Sequence, residues 1–477
     1  MSAPSPLRWR ALALLALAQF IVIMDTSIIG VALPELGVDL GFDQADLSWV
    51  FNAYVIAFGG LLLLGGKLAD VFGARRIFLA GFAVLTAASA AAGFVNTPGL
   101  EIAARAAQGA GAALIAPASL SLLMHLFSHD PRELTKALAL YGAAAPAGGT
   151  AGVFLGGVLT EWLSWPWVFF VNIPLGIAVL GLAPRWLPAA TRGRGRIDVA
   201  GAATITAALS LIVFGIVRGP DVGWSDNQVV TSIAAGAVLL GVFIAIQRFR
   251  RDPLMPLGIW RTTNLASANV AMALLGAAWV PMWFFLNLYL QQVLDFGPFG
   301  SGSALLPMTA AMMILMVGVT ERVVRRYGFR ATLATGLAVL TAGLGVLSFI
   351  SAGGSFVGDV LAGSLITAVG MSLAYIPAMF AAMSGAKPTE AGLASGIVNT
   401  TYQIGSALGL AAMTAVATSN GAGELGNPLA LVDGFSAAFV GAAGIAAAGA
   451  IVAAVFLRSP KAASRDSAID EPIEIAA

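Results

Sequence analysis

Apolar runs of about 20 residues recur along the whole chain, separated by short polar segments. Crossing a hydrocarbon core about 30 Å thick takes a helix of about this length. A membrane β-barrel would instead alternate apolar and polar residues in segments of about ten. The pattern therefore predicts an all-α integral membrane protein with about 14 transmembrane helices, near residues 11–33, 47–69, 77–96, 99–124, 135–159, 167–186, 199–217, 229–247, 266–290, 301–320, 331–351, 356–383, 391–418 and 434–457.

Composition excludes a soluble globule and several classes of enzyme. Only 10% of the residues are charged, against about 25% in ordinary soluble domains, and 58% are hydrophobic. Cysteine is absent, which rules out disulfides, thiolate metal sites and cysteine nucleophiles. With two histidines in 477 residues, a histidine metal site or a histidine-dependent triad is not expected either. We predict no enzyme, no cofactor and no metal.

The basic residues predict the orientation, because loops rich in Lys and Arg stay in the cytoplasm. Placing both termini in the cytoplasm puts 23 of the 25 basic residues on that side. Only Arg218 then falls in an outer loop and only Arg105 within a span. The formal net charge of +1 is therefore the sum of a strongly positive cytoplasmic side and a negative outer side. We predict a multi-pass protein of the cell (plasma or inner) membrane.

The two chain ends carry separate expectations. The first run admits a second interpretation as a cleaved signal peptide, because Arg8 and Arg10 precede it. A transmembrane span is favoured, since the run is longer than the apolar part of a usual signal peptide. The polar tail at 459–477 is expected to be a disordered cytoplasmic segment.

Three charged residues within the spans are candidates for proton coupling: Asp25, Arg105 and Glu101. A carboxylate inside a span costs about 2.5–3.5 kcal/mol on insertion scales, so Asp25 is a functional candidate by default. Arg105 enters its span from the outer side at a compatible depth, and we expect the two to meet. The alternative for Asp25 is a carboxylate that a structural partner merely neutralises. Arg105 could instead reach the lipid headgroups or pair with Glu101. Glu101 could be a solvated cap.

Two glycine-containing motifs indicate moving helices. The segment from Gly66 to Arg76 in the first inner loop resembles the loop signature of the major facilitator superfamily, although Val71 and Ala74 replace basic positions. The resemblance implies a conformational latch formed by Gly66, Asp70, Gly73, Arg75 and Arg76; an ordinary charged turn is the alternative. The fifth span carries Gly148, Gly152 and Gly156, a spacing typical of close helix packing. It resembles the antiporter motif of exporters, read there as a hinge.

Further stretches resemble the fourteen-span drug:proton antiporter family of that superfamily. They are Met24–Pro34, in which Gly30 replaces the family's Asn, Ser164–Gly176, and Gly392–Gly405. The run from Arg105 to Gly111 resembles a motif of the superfamily that is linked there to proton translocation. The resemblance implies two six-helix bundles plus two central helices. The expected domains are 1–190 for the N-terminal bundle, 191–260 for the extra helices with their linkers, 261–458 for the C-terminal bundle, and the tail.

This resemblance implies a proton-coupled secondary transporter that exports hydrophobic or amphipathic compounds by alternating access. Solute uptake and lipid transport on the same scaffold are the alternatives. The expected partners are a small-molecule substrate and membrane lipids, without nucleic acid, and the chain is expected to be a monomer. The polar and aromatic side chains expected to line the cavity are Gln19, Asn52, Tyr54, Trp283, Asn287, Tyr375, Asn399, Tyr402 and Gln403.

Overall fold

A computed structural model describes residues 7–44, 46–127, 130–188, 198–385 and 391–458. All of the regular secondary structure in these ranges is helical. The helices are α1 (Arg8–Leu40), α2 (Ser48–Phe72), α3 (Ala74–Ala92), α4 (Pro98–Phe127), α5 (Pro131–Trp162), α6 (Trp167–Phe170), α7 (Asn172–Trp186), α8 (Val199–Val222), α9 (Asn227–Phe249), α10 (Leu265–Leu288), α11 (Pro298–Gly318), α12 (Thr320–Leu347), α13 (Ala362–Met383), α14 (Ala391–Ala417) and α15 (Pro428–Phe456).

The predicted fold class is confirmed. Thirteen helical segments in the described ranges are long and apolar enough to cross a membrane, with α6 and α7 together forming one of them. Helix α14, which has 27 residues, completes the fourteen. Short π-helical turns extend three spans at one end: Tyr289–Val293 after α10, Phe356–Leu361 before α13 and Thr418–Ala422 after α14.

Helix α12 consists of two helical parts joined at Gly328, which has a non-helical φ of 77° and ψ of 161°. The longer part begins after Gly328, close to the predicted start of the eleventh span at 331. The charged segment before Gly328, expected to be a loop, is also helical. Gly73, between α2 and α3, has a similar φ of 96°. Positive φ at both positions favours glycine, so the two halves share a backbone feature that their sequences echo only faintly.

The helices pack as two groups, which contact each other directly through α2 with α14 and through α5 with α11. Helices α1–α5 and α7 contact one another, as do α10–α15. Helix α8 contacts both α2 and α14, while α9 contacts mainly α8. At Gly60 of α2, the missing side chain leaves room for Thr206 of α8. The predicted boundary between 190 and 191 and the tail at 459–477 lie outside the described residues, so those limits stay predictions.

Successive spans run in opposite directions, which gives the molecule two ends. We call the end that holds the loops after α1, α5 and α10 the acidic side, and the opposite end the basic side. At the acidic side α5 packs closely on α11: a Cβ built at Gly157 would lie 2.8 Å from the carbonyl oxygen of Pro298. Gln44 and Gln292 also exchange two amide hydrogen bonds there, at 3.1 and 3.3 Å. The two groups of helices therefore meet at the acidic side as well as in the middle of α2 and α14, where a Cβ at Gly59 would lie 2.8 Å from the Cβ of Gln403.

Candidate functional site

Asp25 lies in the interior of the first helical group with its side chain fully buried. Its carboxyl oxygens accept three hydrogen bonds from nitrogen donors: Arg105 Nη1 at 3.1 Å, Gln108 Nε2 at 3.1 Å and Asn172 Nδ2 at 2.5 Å. Burying a carboxylate is costly unless it is paired and hydrogen-bonded. These contacts come from α4 and α7 onto α1, so the carboxyl ties three helices together.

Arg105 pairs with Asp25 as the sequence predicted. Its guanidinium is 0% exposed, so it reaches no headgroup, and its Nη1 lies 3.1 Å from Asp25 Oδ2. Nε donates to the Val50 carbonyl at 3.0 Å, and Cζ lies 4.6 Å from the centre of the Tyr54 ring. Aromatic faces attract a guanidinium. The alternative of headgroup contact is therefore wrong.

Three polar residues outside the predicted site complete this network. Gln108 accepts from Arg105 through Oε1 at 2.7 Å and donates through Nε2 to Asp25 and to Ser89 Oγ. This pattern sets the orientation of its amide, because only Oε1 can accept. Asn172, at the start of α7, donates to Asp25. Gln108 and Asn172 belong to motifs noted in the sequence, but Ser89 had no signal, since an isolated serine in an apolar run is unremarkable.

Glu101 is also buried, so the alternative of a solvated cap is wrong. Its side chain is 0% exposed, and neither carboxyl oxygen has a hydrogen-bond partner in the described chain. The cause is the packing of the acidic-side end of α4 against its neighbours. Asp359, a carboxyl near the acidic-side end of another span, forms a cap: it accepts from Ser351 Oγ at 3.2 Å and from the Ser355 backbone N–H at 2.6 Å.

The glycines of α5 lie directly against the helix that carries Asp25. A Cβ at Gly148, Gly152 or Gly156 would lie 2.5, 2.8 or 2.6 Å from the carbonyl oxygens of Phe20, Met24 and Ile28, respectively. Real Cβ atoms do not approach backbone oxygens this closely, so the spacing of four lets α5 and α1 pack side by side. This interface flanks Asp25 on both sides along α1.

We expect Gly152→Ala to separate α1 from α5. The added methyl meets the Met24 oxygen and the Ser27 Cβ, and overpacking of this kind costs about 1–3 kcal/mol of unfolding free energy. Thermal unfolding in detergent and transport in liposomes should both decline. The matched control is Gly142→Ala in the same helix, where a Cβ meets nothing within 4 Å. Equal melting temperatures for the two variants would contradict this packing role.

Gly30 faces the second helical group. A Cβ there would lie 3.2 Å from Trp283 Nε1 and 3.3 Å from Asn287 Nδ2, both on α10. One residue further, the Val31 carbonyl accepts from Gln291 Nε2 at 2.9 Å. The departure from the family's Asn at position 30 therefore makes room for α10. Helix α1 thus contacts the second group within two turns of Asp25.

The predicted latch contact is not formed in this conformation. Asp70 is exposed at the end of α2, and no hydrogen bond or ion pair joins it to the part of the chain that the structure describes. Arg75 donates instead to the carbonyls of Pro184 and Leu187 at the end of α7, at 3.4 and 3.1 Å. Arg76 is exposed, Gly66 is half-buried on α2, and Gly73 provides the turn.

The predicted cavity residues fall into two sets. Asn52, Tyr54 and Asn287 are fully buried and do not line an open space, because helix packing covers them. Tyr54 covers Arg105, and Asn287 bonds to the Trp283 carbonyl. The others are partly exposed: Gln19, Trp283, Tyr375, Asn399, Tyr402 and Gln403. None of these six carries a charge.

Hydrogen bonds and ring contacts join several members of the partly exposed set. Tyr141 donates to Gln19 Oε1 at 2.9 Å, and Tyr375 donates to Asn399 Oδ1 at 3.4 Å. The Tyr375 and Tyr402 rings meet edge to face at 5.5 Å. Such surfaces suit flat, partly polar molecules through stacking and hydrogen bonds. The described ranges contain no cluster of three metal-ligating side chains.

Comparisons with known proteins agree on one family. The sequence model of the Major Facilitator Superfamily matches residues 15–410. The chain is 40% identical to the cephamycin export protein CmcT of Amycolatopsis lactamdurans, over 91% of this chain and 89% of that protein. It is 34% identical to the puromycin resistance protein pur8 of Streptomyces alboniger, over 98% and 94%. Among solved structures, an auto-inhibited peptide transporter of the POT family superposes with a TM-score of 0.67 at 16% identity, over 95% of this chain and 98% of that one.

Proposed function

The chain belongs to the Major Facilitator Superfamily, and we propose that it is a proton-driven exporter of hydrophobic or amphipathic small molecules. As a member of this family it is a transporter and not an enzyme. Relatives at 40% and 34% identity are named for cephamycin export and puromycin resistance. The observation that carries the proposal is the buried ion pair between Asp25 and Arg105, which gives an exporter a place to hold a proton.

In this proposal Asp25 binds and releases the coupling proton. All three groups that contact its oxygens donate hydrogen bonds, so the network around it is arranged for an ionised carboxyl. Binding a proton to Oδ2 removes the charge that Arg105 Nη1 contacts and turns an acceptor into a donor. The network must then rearrange, and the contacts among α1, α4 and α7 change with it. A two-state element of this kind is what proton coupling requires.

Close packing gives the rearrangement a route to the acidic side. Helix α1 lies against the glycines of α5, and α5 lies against α11 at Gly157 and Gly302. A shift of α1 therefore moves α5 at its contact with the second helical group. We propose that a proton bound from the acidic side closes this contact and that its release to the basic side, with substrate bound, opens the contact again, so that substrate is exposed to one side at a time.

We propose that the protein lies in the cell membrane with its basic side in the cytoplasm, because loops rich in Lys and Arg stay there. Both termini are then cytoplasmic. The structure is then closed towards the outside, where Gln44 meets Gln292. We propose a monomer in contact with membrane lipids. Its substrate would bind among the uncharged, partly exposed side chains around Tyr375 and Tyr402.

Purified protein in liposomes tests the direction of transport and the driving force together. With the basic side facing the bath and the lumen made acidic, we expect puromycin or a fluorescent amphipathic dye to accumulate in the lumen while protons leave it. Collapsing the gradient with a protonophore should stop accumulation. Accumulation that requires an acidic bath instead would establish uptake by symport. Movement of labelled lipid between leaflets without drug transport would establish a lipid transporter.

A further inference from the structure

Two buried polar groups beside Asp25 lack hydrogen bonds within the described residues. One is the carboxyl group of Glu101, and the other is Nη2 of Arg105. Both side chains are 0% exposed. They are four residues apart on α4, a spacing that places side chains next to each other on one helix face. An unused acceptor and an unused donor therefore lie one helical turn apart.

We infer that Arg105 alternates between two carboxyl partners, Asp25 and Glu101, and that Glu101 is a second proton-carrying group of the transport cycle. This inference rests on the proposed function. The charged groups that face Glu101 are Arg105 on its own helix and Asp25 on α1. Tyr54 of α2 and Phe169 of α6 cover the guanidinium without adding a charge.

The structure corresponds to one of the two arrangements. Arg105 is paired with Asp25. Glu101 holds a proton in this arrangement, because its side chain is 0% exposed and an ionised carboxyl there would have no hydrogen-bond donor among the described residues. The three groups together are then neutral, with one negative charge, one positive charge and one proton on the two carboxyl groups.

The second arrangement follows by moving that proton. The O–H bond of Glu101 breaks, an O–H bond forms at Asp25, and the guanidinium turns so that Nη2 reaches the Glu101 carboxylate. Charge and proton number are unchanged, so no other reactant is needed. Glu101 lies in the first turn of α4, nearer the acidic side than Arg105. It is therefore placed to take a proton from that side and pass it to Asp25.

Infrared spectroscopy of the full chain in lipid nanodiscs tests the exchange at neutral pH. We expect wild type to show the carbonyl band of a protonated carboxylic acid, and Glu101→Gln to lack it. Asp25→Asn should lack it as well, because Glu101 then ionises to pair with Arg105. The matched control is Asp359→Asn, whose carboxyl is a hydrogen-bonded cap and whose loss should leave the band in place.

A band that survives in Glu101→Gln, or that is lost in Glu101→Gln but kept in Asp25→Asn, would overturn the exchange.

Thermal stability gives a second measurement of the exchange. The double variant Asp25→Asn with Glu101→Gln leaves Arg105 without a counterion, so its melting temperature should fall by more than the sum of the single changes. Additive losses would count against a shared partner.

Transport separates this inference from the proposed function. Glu101→Gln should lower gradient-driven export by about 10²-fold, the lower end of what a positioned proton-transferring group contributes, and Glu101→Asp should restore part of it. Wild-type export in Glu101→Gln, together with lost coupling in Asp25→Asn, would remove Glu101 from the cycle and leave the proposed function standing. Retained coupling in Asp25→Asn would instead exclude Asp25 as the proton carrier, and a wild type that shows no gradient-driven export would remove the proposed function.

Discussion

Asp25→Asn is expected to abolish proton-driven export while leaving substrate exchange intact. The amide has nearly the shape of the carboxyl group but cannot take up a proton at physiological pH. Export driven by a pH gradient in proteoliposomes should fall to the rate of protein-free liposomes. Counterflow of labelled against unlabelled substrate, which needs binding and alternation but no net proton movement, should continue. Substrate-dependent proton flux measured with a pH-sensitive dye should disappear.

Two controls make this result interpretable. Asp25→Glu keeps a carboxyl group and should keep part of the coupled transport. Asp359→Asn removes a carboxyl that accepts from Ser351 and Ser355 near the end of another span, and should leave export unchanged. Loss of counterflow in Asp25→Asn would point to a packing role for Asp25. Wild-type coupling in this variant would exclude Asp25 as the proton carrier.

Cross-linking position 44 to position 292 is expected to stop export completely. The chain has no cysteine, so Gln44→Cys with Gln292→Cys can be introduced without background labelling. In the structure these two amides exchange hydrogen bonds between the two helical groups at the acidic side. A short bis-maleimide that spans two glutamine side chains would hold that side closed. If substrate leaves through it, joined molecules cannot transport.

The controls for this experiment use the same chemistry at one loop. Each single cysteine variant, treated with the same reagent, should export normally. The control pair is Glu424→Cys with Asn427→Cys, also at the acidic side. The native side chains of this pair are hydrogen-bonded at 2.9 Å within one loop, so a cross-link there does not connect the two helical groups. That pair should react without loss of export. Normal export after complete reaction of the 44–292 pair would mean that the acidic side need not open.

Much of the architecture follows from hydropathy alone. The fourteen spans are found because a membrane helix needs a long apolar run whatever its tertiary contacts. Helix ends were harder to predict: Arg322 and Arg325 lie in the short helical part of α12 before Gly328, because charged side chains can extend a helix beyond the lipid.

The site was only partly predictable. Asp25 and Arg105 stand out because a charge within an apolar run is costly and rare. Their partners Gln108, Asn172 and Ser89 are neutral, and a neutral polar side chain in a span signals little until its neighbours are known. Glu101 was also a candidate, but the sequence left its burial open, because a carboxyl group near the end of a span can equally be a solvated cap. Asn52, Tyr54 and Asn287 were assigned to the cavity because composition does not say which face of a helix is packed.

The sequence by itself determined that this chain spans a membrane fourteen times, which side is basic, and which charges inside the spans need an explanation. Each of these depends on the cost of moving single residues out of water, a quantity that residue type largely sets. The tertiary structure alone decided that Gln108 and Asn172 also contact Asp25, that the glycines of α5 lie against α1, and that the two helical groups meet at Gln44 and Gln292. Several of these contacts join residues more than 80 positions apart in the sequence. Whether two such residues touch depends on how the helices pack and not on the residue types alone.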